Sequence, residues 1–282
     1  MTPSESIGIG RTDELTLRVS AASLARVVFD HPDESTRMLA LEHKAYVSRT
    51  SPSAEVVVRA QPFGGAVRIM DPDEISAVSG GFNFDSERSR SEDDFRIFIH
   101  PSRLEALCRH VARAAGQASM VDLEIGPSRE LGEEFGDSLD IQLQPEAYTV
   151  RPPRIVVQNQ PTPTSNLRAP GAPTVRIYWI YEVDLQDPEL IRLMLDNSQK
   201  NPGRVLSQMA RDRYRLGTGD RANAVLVAPL AEIHRVYLAT PVEKRSEPVP
   251  FHDTVLAGNV AAVVPDLSIS KFTVIPAGGS GR

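Results

Sequence analysis

The chain has 282 residues, 41% hydrophobic and 24% charged, the balance of a soluble globular protein with enough apolar side chain for a substantial core. Its 37 acidic and 31 basic residues leave a net charge of −6, which disfavours broad, charge-driven nucleic-acid binding. A single cysteine, Cys108, excludes an internal disulfide framework and a cysteine-based zinc site, and no apolar run approaches the roughly 20 residues that span a bilayer. A cytoplasmic protein without a membrane partner is expected.

Residues 1–12 are small and polar and read as a flexible N-terminus. Leu15, Leu17 and Val19 alternate with polar residues like a strand, residues 23–29 suit a short helix or strand, and His31-Pro32-Asp33 marks a loop. From Lys44 the chain becomes β-like, with strands expected at 45–48 and 55–59. Pro62 followed by Gly64 and Gly65 then predicts a bend whose backbone can approach another group closely. Residues 79–94 are polar and turn-rich, which predicts a mobile loop; 94–99 alternate as a strand, and Pro101 and Ser102 open a helix expected to run to Ala115. On that helix Cys108 is expected in the core, and Arg103, Arg109 and Arg113 share a face that could meet phosphate or water alone.

Residues 128–136 read Ser-Arg-Glu-Leu-Gly-Glu-Glu-Phe-Gly. In a helix, offsets of three and four place Glu130, Glu133 and Glu134 along neighbouring edges of one face, where like charges repel unless a cation or water screens them. A divalent metal is one such partner, and carboxylate oxygens suit Mg²⁺ or Mn²⁺. Beyond this helix, 139–143 alternate as a strand, and a Pro-rich connection runs over 145–173 with a short strand at 155–157. Residues 174–185 form the clearest strand, with Trp179 and Tyr181 on one face, where they could stack a nucleobase or fill the core. Asp187-Pro188 starts a helix to about Asn197, and a second follows over 202–213 and ends before Gly217. Short apolar elements occupy 236–240 and 255–264, and 276–282 read as a flexible tail.

The order Arg129-Glu130-Leu131-x-Glu133-Glu134-x-Gly136 resembles the second half of the Nudix box, whose family cleaves diphosphate bonds in nucleoside diphosphates linked to another group. The resemblance implies that Glu130, Glu133 and Glu134 are metal ligands for Mg²⁺ or Mn²⁺, that Arg129 pairs with a carboxylate at the helix start, and that Glu133, Glu134 and Arg129 serve catalysis. It also makes Gly64 and Gly65 similar to the glycine pair that leads into the box, displaced here by an insertion at about 69–127. Ala115 and Val121 stand where the family has a glycine and a glutamate, and Asp137 replaces the closing aliphatic residue. Residues 222–233, ending in Pro-Leu-Ala-Glu-Ile, resemble the family's late strand and the turn into its closing helix.

The implied fold is α/β, a Nudix-like mixed β-sheet sandwiched between helices with insertions, in a single domain over 13–275. The implied ligand is a nucleotide or nucleotide-derived small molecule, with Trp179, Tyr181, Gly64 and Gly65 contacting it; the apolar β segments leave room for a homodimer. Glu124 and Glu182 are candidates for a general base. A metal-dependent diphosphohydrolase is therefore expected, with a catalytically degenerate nucleotide-sensing or protein-interaction module as the alternative. The chain carries no Walker phosphate loop, no His-Glu-x-x-His and no Gly-x-Ser-x-Gly.

Overall fold

The computed structural model describes residues 15–48, 55–113, 120–164, 166 and 169–275. The terminal segments expected to be flexible and the helix end at Ala115 lie outside these residues. In chain order, β1 (Leu17–Asp30), β2 (Arg37–Val47), β3 (Val56–Gln61), β4 (Phe63–Ala66) and β5 (Arg68–Ile69) come first. The stretch 69–127 then folds into α1 (Pro72–Ser79), β6 (Asn83–Phe84), α2 (Glu87–Ser91), β7 (Arg96–Ile99), α3 (Leu104–Ala112) and β8 (Leu123–Glu124). After α4 (Ser128–Leu139) come β9 (Tyr148–Val150), β10 (Arg154–Gln158), β11 (Thr162–Pro163) and β12 (Pro173–Leu185). The final third holds α5 (Pro188–Lys200), α6 (Gly203–Leu216), β13 (Arg221–Pro229), α7 (Leu230–Ala239), β14 (Val249–Phe251), β15 (Thr254–Leu256), α8 (Val260–Val263) and β16 (Phe272–Ile275).

Among the described residues, a mixed sheet of 14 strands organises the fold, its main path running β14-β15-β3-β2-β1-β12-β10-β16. At its centre β1 and β12 run parallel, in register from Arg18 opposite Thr174 to Val28 opposite Asp184. Such long parallel strands are covered on both faces, and their apolar residues therefore occupy both parities. In β12, Val175, Ile177, Trp179, Tyr181 and Val183 enter one core with Ile75 of α1, Leu107 of α3, Leu131 and Phe135 of α4 and Met194 of α5. Tyr178 and Ile180 enter a second core on the opposite face, with Ile233 and Tyr237 of α7, Val260 of α8 and Leu256 of β15. Helix α6 closes a third, smaller cluster through Leu206 and Ala210 against Ala45 of β2 and Ala222 of β13. The protein is thus mixed α/β, a large curled sheet with helices on both faces. Among the described residues no helix is long and apolar enough to cross a membrane.

Local chemistry sets several of these boundaries. Asp187 caps α5 by accepting from the Glu189 and Leu190 amides at 2.8 and 3.3 Å, with Pro188 in the first turn. Asp140 ends α4 in the left-handed conformation, at φ 57°.

Four expectations differ from the structure. Residues 23–29 take the strand alternative, as Val27, Val28 and Phe29 favour, but continue β1 in register with β12 rather than forming a separate element. The strand expected from 45 begins at Arg37. Residues 139–143 are not a strand: α4 runs through Leu139 and no regular element follows until the turn at Pro145–Ala147. The 79–94 stretch, expected as a mobile loop, contains β6 and α2 and is pinned by a buried ion pair. Asp85, whose side chain is fully buried, accepts from Arg18 Nε and Nη2 of β1 at 2.9 and 2.7 Å. Its other oxygen accepts from Ser89 at 2.6 Å, while Ser86 caps α2.

Candidate functional site

Helix α4 is amphipathic, and that fixes what it presents. Leu131 and Phe135, one turn apart, are fully buried, and the Phe135 ring packs 4.9 Å from Phe63 of β4. This contact sets the helix down on the Gly64-Gly65 strand. The Gly64 amide donates to Glu134 Oε2 at 2.6 Å, and a Cβ added at Gly65 would lie 2.1 Å from Glu130 Oε2. Gly64 itself has φ 135°, and a Cβ there would stand 2.0 Å from the Ser23 carbonyl oxygen of β1. The structure therefore brings Gly64, Gly65, Glu130 and Glu134 together from distant parts of the chain, with glycine required at Gly64 and a side chain admitted at Gly65 only if Glu130 moves aside.

A fourth carboxylate, not singled out by the sequence, completes the cluster. Glu42 of β2 is 1% exposed, accepts from Gln61 Nε2 at 2.8 Å and pairs with Lys44. Burial first, and then the charge of Glu42, push the Glu134 carboxyl up to about 9; Lys44 and the Gly64 amide oppose this, and Glu130 adds to it. Glu130 is also raised, chiefly by burial, although adjacent Arg129 pulls the other way.

The glutamates of α4 do not converge as the helix spacing led us to expect. Glu130 pairs with Arg129, and Glu133, its side chain 61% exposed, lies 3.4 Å from the same guanidinium. Arg129 also stands 3.6 Å from Glu124; burial lowers its pKa, but the charges of Glu130, Glu133 and Glu124 outweigh that and raise it. Among the described residues no group of three or more His, Cys, Asp or Glu side chains is gathered closely enough to hold a metal ion. Compensation comes instead from Arg129 and the Gly64 amide. The donor set, all carboxylate oxygen, is of the kind Mg²⁺ or Mn²⁺ takes, and the part of the Glu134 rise that Glu42 and Glu130 add to burial is what a cation would relieve. Glu130 and Glu133 would have to leave Arg129 to share one.

Beside this cluster opens a cleft of about 350 Å³ lined by Gly65, Glu130, Glu133 and four arginines, Arg68, Arg88, Arg96 and Arg129. Each arginine has an acidic neighbour: Arg96 lies 2.6 Å from Asp94, Arg88 2.6 Å from Glu92, and Arg68 3.6 Å from Glu124. Arg88, Arg96 and their partners come from the 69–127 stretch, so that stretch builds one wall of the cleft. Sequence reading missed Arg68, Arg88 and Arg96, although Arg68 stands three residues after the glycine pair. It selected Arg103, Arg109 and Arg113 of α3 instead; none lines the cleft, and Arg109 pairs on its own helix with Glu105 at 3.7 Å.

Two further expectations are corrected. Trp179 and Tyr181 share a face as expected, but they are 0% and 2% exposed in the core beneath α4, with no ring face open to a ligand. They fill volume between sheet and helix. Glu182 alternates to the other face of β12, where Arg26 and Arg151 hold it, and it takes no part in the cluster. Val121, at the place of the family's glutamate, is 95% exposed; Ala115 and the Asp137 side chain lie outside what the structure describes. Compared with known proteins, the chain matches no family model, no curated protein and no solved structure.

Proposed function

We propose that the chain is a divalent-cation-dependent hydrolase of the Nudix type, cleaving the diphosphate bond of a nucleoside diphosphate linked to another group. The observation that carries this reading is the seating of Glu130 and Glu134 on the Gly64-Gly65 strand beside a four-arginine cleft. The Nudix-like order of the segments agrees with it: glycine strand, box helix, and then β13 turning into α7 after Pro229. Helices on both faces of a mixed sheet agree as well.

In this reading Glu130, Glu133 and Glu134, with Glu42 behind them, hold Mg²⁺ or Mn²⁺, which neutralises the diphosphate and activates water when bound. Arg68, Arg88 and Arg96 take phosphate oxygens, a role for which the planar guanidinium is suited. Arg129 holds Glu130 and Glu133 in place, and Glu124, 3.6 Å from both Arg68 and Arg129, orients those two cations. Glu134 keeps its proton near neutral pH, which makes it a poor general base and a good ligand once a cation displaces that proton.

A second reading, a nucleotide-binding module without turnover, is favoured by one observation: Glu130 and Glu133 are both committed to Arg129. A panel of nucleoside diphosphate derivatives assayed with Mg²⁺ or Mn²⁺ separates the two. The hydrolase reading expects cation-dependent product release that Glu133→Gln lowers on the order of 100-fold. Saturable nucleotide binding with no turnover under any cation would establish the module instead.

A further inference from the structure

A second cavity, of about 570 Å³, is larger than the arginine cleft and shares no lining residue with it. Its walls come from β3, β10, β12, β16 and the turn before α8. Two arginines reach it without a carboxylate partner among the described residues. Arg176 of β12 is held by neutral acceptors only, Gln158 Oε1 at 3.0 Å and Thr162 Oγ1 at 2.8 Å. The side chain of Arg59 of β3 makes no hydrogen bond or ion pair with any described residue, and its Nε is buried without an acceptor. A third cation, Lys271, is neutralised by Glu247 at 3.2 Å. In a chain of net charge −6, this cavity therefore concentrates two uncompensated guanidinium groups.

We infer that this cavity binds a small organic anion, its phosphoryl or carboxylate group held between Arg59 and Arg176. A buried donor left without an acceptor is costly, and an oxyanion offers both arginines short, charge-assisted bonds. The remaining lining fits the body of such a molecule. Asn259 Oδ1 is buried with no donor facing it, which suits a ligand hydroxyl, and Tyr178 and Phe272, ring centroids 6.0 Å apart, give an apolar wall. The wall at Gly258 is tightly built, since a Cβ there would lie 2.2 Å from the Ser246 carbonyl oxygen. The volume is within the roughly 300–1,000 Å³ of small-molecule sites.

Isothermal titration of the full chain in EDTA, with inorganic phosphate, pyrophosphate, ADP and citrate as separate probes, tests the inference; EDTA removes any cation from the α4 cluster. The expected result is saturable binding of at least one probe, weakened about tenfold or more by Arg59→Gln and by Arg176→Gln and unchanged by Arg96→Gln in the other cleft. The Arg59 side chain has no protein partner among the described residues, so its replacement leaves the fold intact and carries the test even if Arg176→Gln unfolds. Preference for citrate would assign a carboxylate ligand, and preference for the phosphates a phosphoryl one. No saturable binding of any probe, binding indifferent to Arg59→Gln, or binding abolished by Arg96→Gln would overturn it.

Discussion

Gly64 and Gly65 sit next to each other but fail for different reasons when substituted. At Gly64 a Cβ meets the backbone of β1 and the residue has φ 135°, so Gly64→Ala should destabilise the fold by about 3 kcal/mol or more. At Gly65 the obstacle is the Glu130 side chain, which can swing away, so Gly65→Ala should cost about 1 kcal/mol while displacing a carboxylate of the cluster. Urea unfolding measures both, and equal losses would contradict the geometry. Glu134 makes a pH prediction. Its folded pKa, about 9, lies above the unfolded 4.5, so between these values the folded state binds the extra proton and stability falls as pH rises. Glu134→Gln should remove that slope, at most about 1.4 kcal/mol per pH unit, in thermal melts without divalent cation; a slope unchanged by the substitution would show that Glu134 is not the group responsible. The sequence made three carboxylates visible through helical spacing, but Glu42 reads only as one polar residue in a strand, and its approach to Glu134 depends on how β2 and α4 pack. For Trp179 alternation assigns a shared face but does not say what covers it, and of the two alternatives the structure shows core filling. As the only tryptophan, it should emit as a buried indole and not respond to nucleotide; strong quenching by a nucleotide would restore the stacking role.

At the scale of elements, legibility followed local chemistry. Helix α5 was readable from Asp187-Pro188, and β12 from its β-branched and aromatic run. Helix α2, with five residues and two arginines, has no such pattern; it is held by Ser86 and by the Arg18–Asp85 pair with β1, contacts that no local spacing encodes. That pair should be decisive for the cleft, because α2 carries Arg88. Asp85→Ala leaves Arg18 buried and unpaired, and should destabilise by about 3 kcal/mol. Amide exchange across 83–92 should then rise more than exchange in β12. A loss below about 1 kcal/mol with unchanged protection would mean that α2 is held by other contacts.

Over the whole molecule, two pockets of different chemistry share no lining residue. At one, α4 lowers carboxylates onto a glycine strand beside arginines that already have acidic partners; elsewhere a larger cavity holds arginines that have none. The coarse class, a mixed sheet with helices on both faces, is what the resemblance at 129–136 implied, and the structure shows it at that coarse level. The parallel pairing of β1 with β12 was not legible, since it joins segments far apart in the chain. The central claim is that the α4 carboxylates hold a divalent cation beside the arginine cleft, and Mn²⁺ binding followed by electron paramagnetic resonance from pH 6 to pH 8.5 tests it most directly. Displacement of the Glu134 proton predicts saturable binding that tightens by up to about tenfold per pH unit and is lost in Glu134→Gln. Absence of binding across that range, or binding that Glu130→Gln and Glu134→Gln leave unchanged, would contradict it.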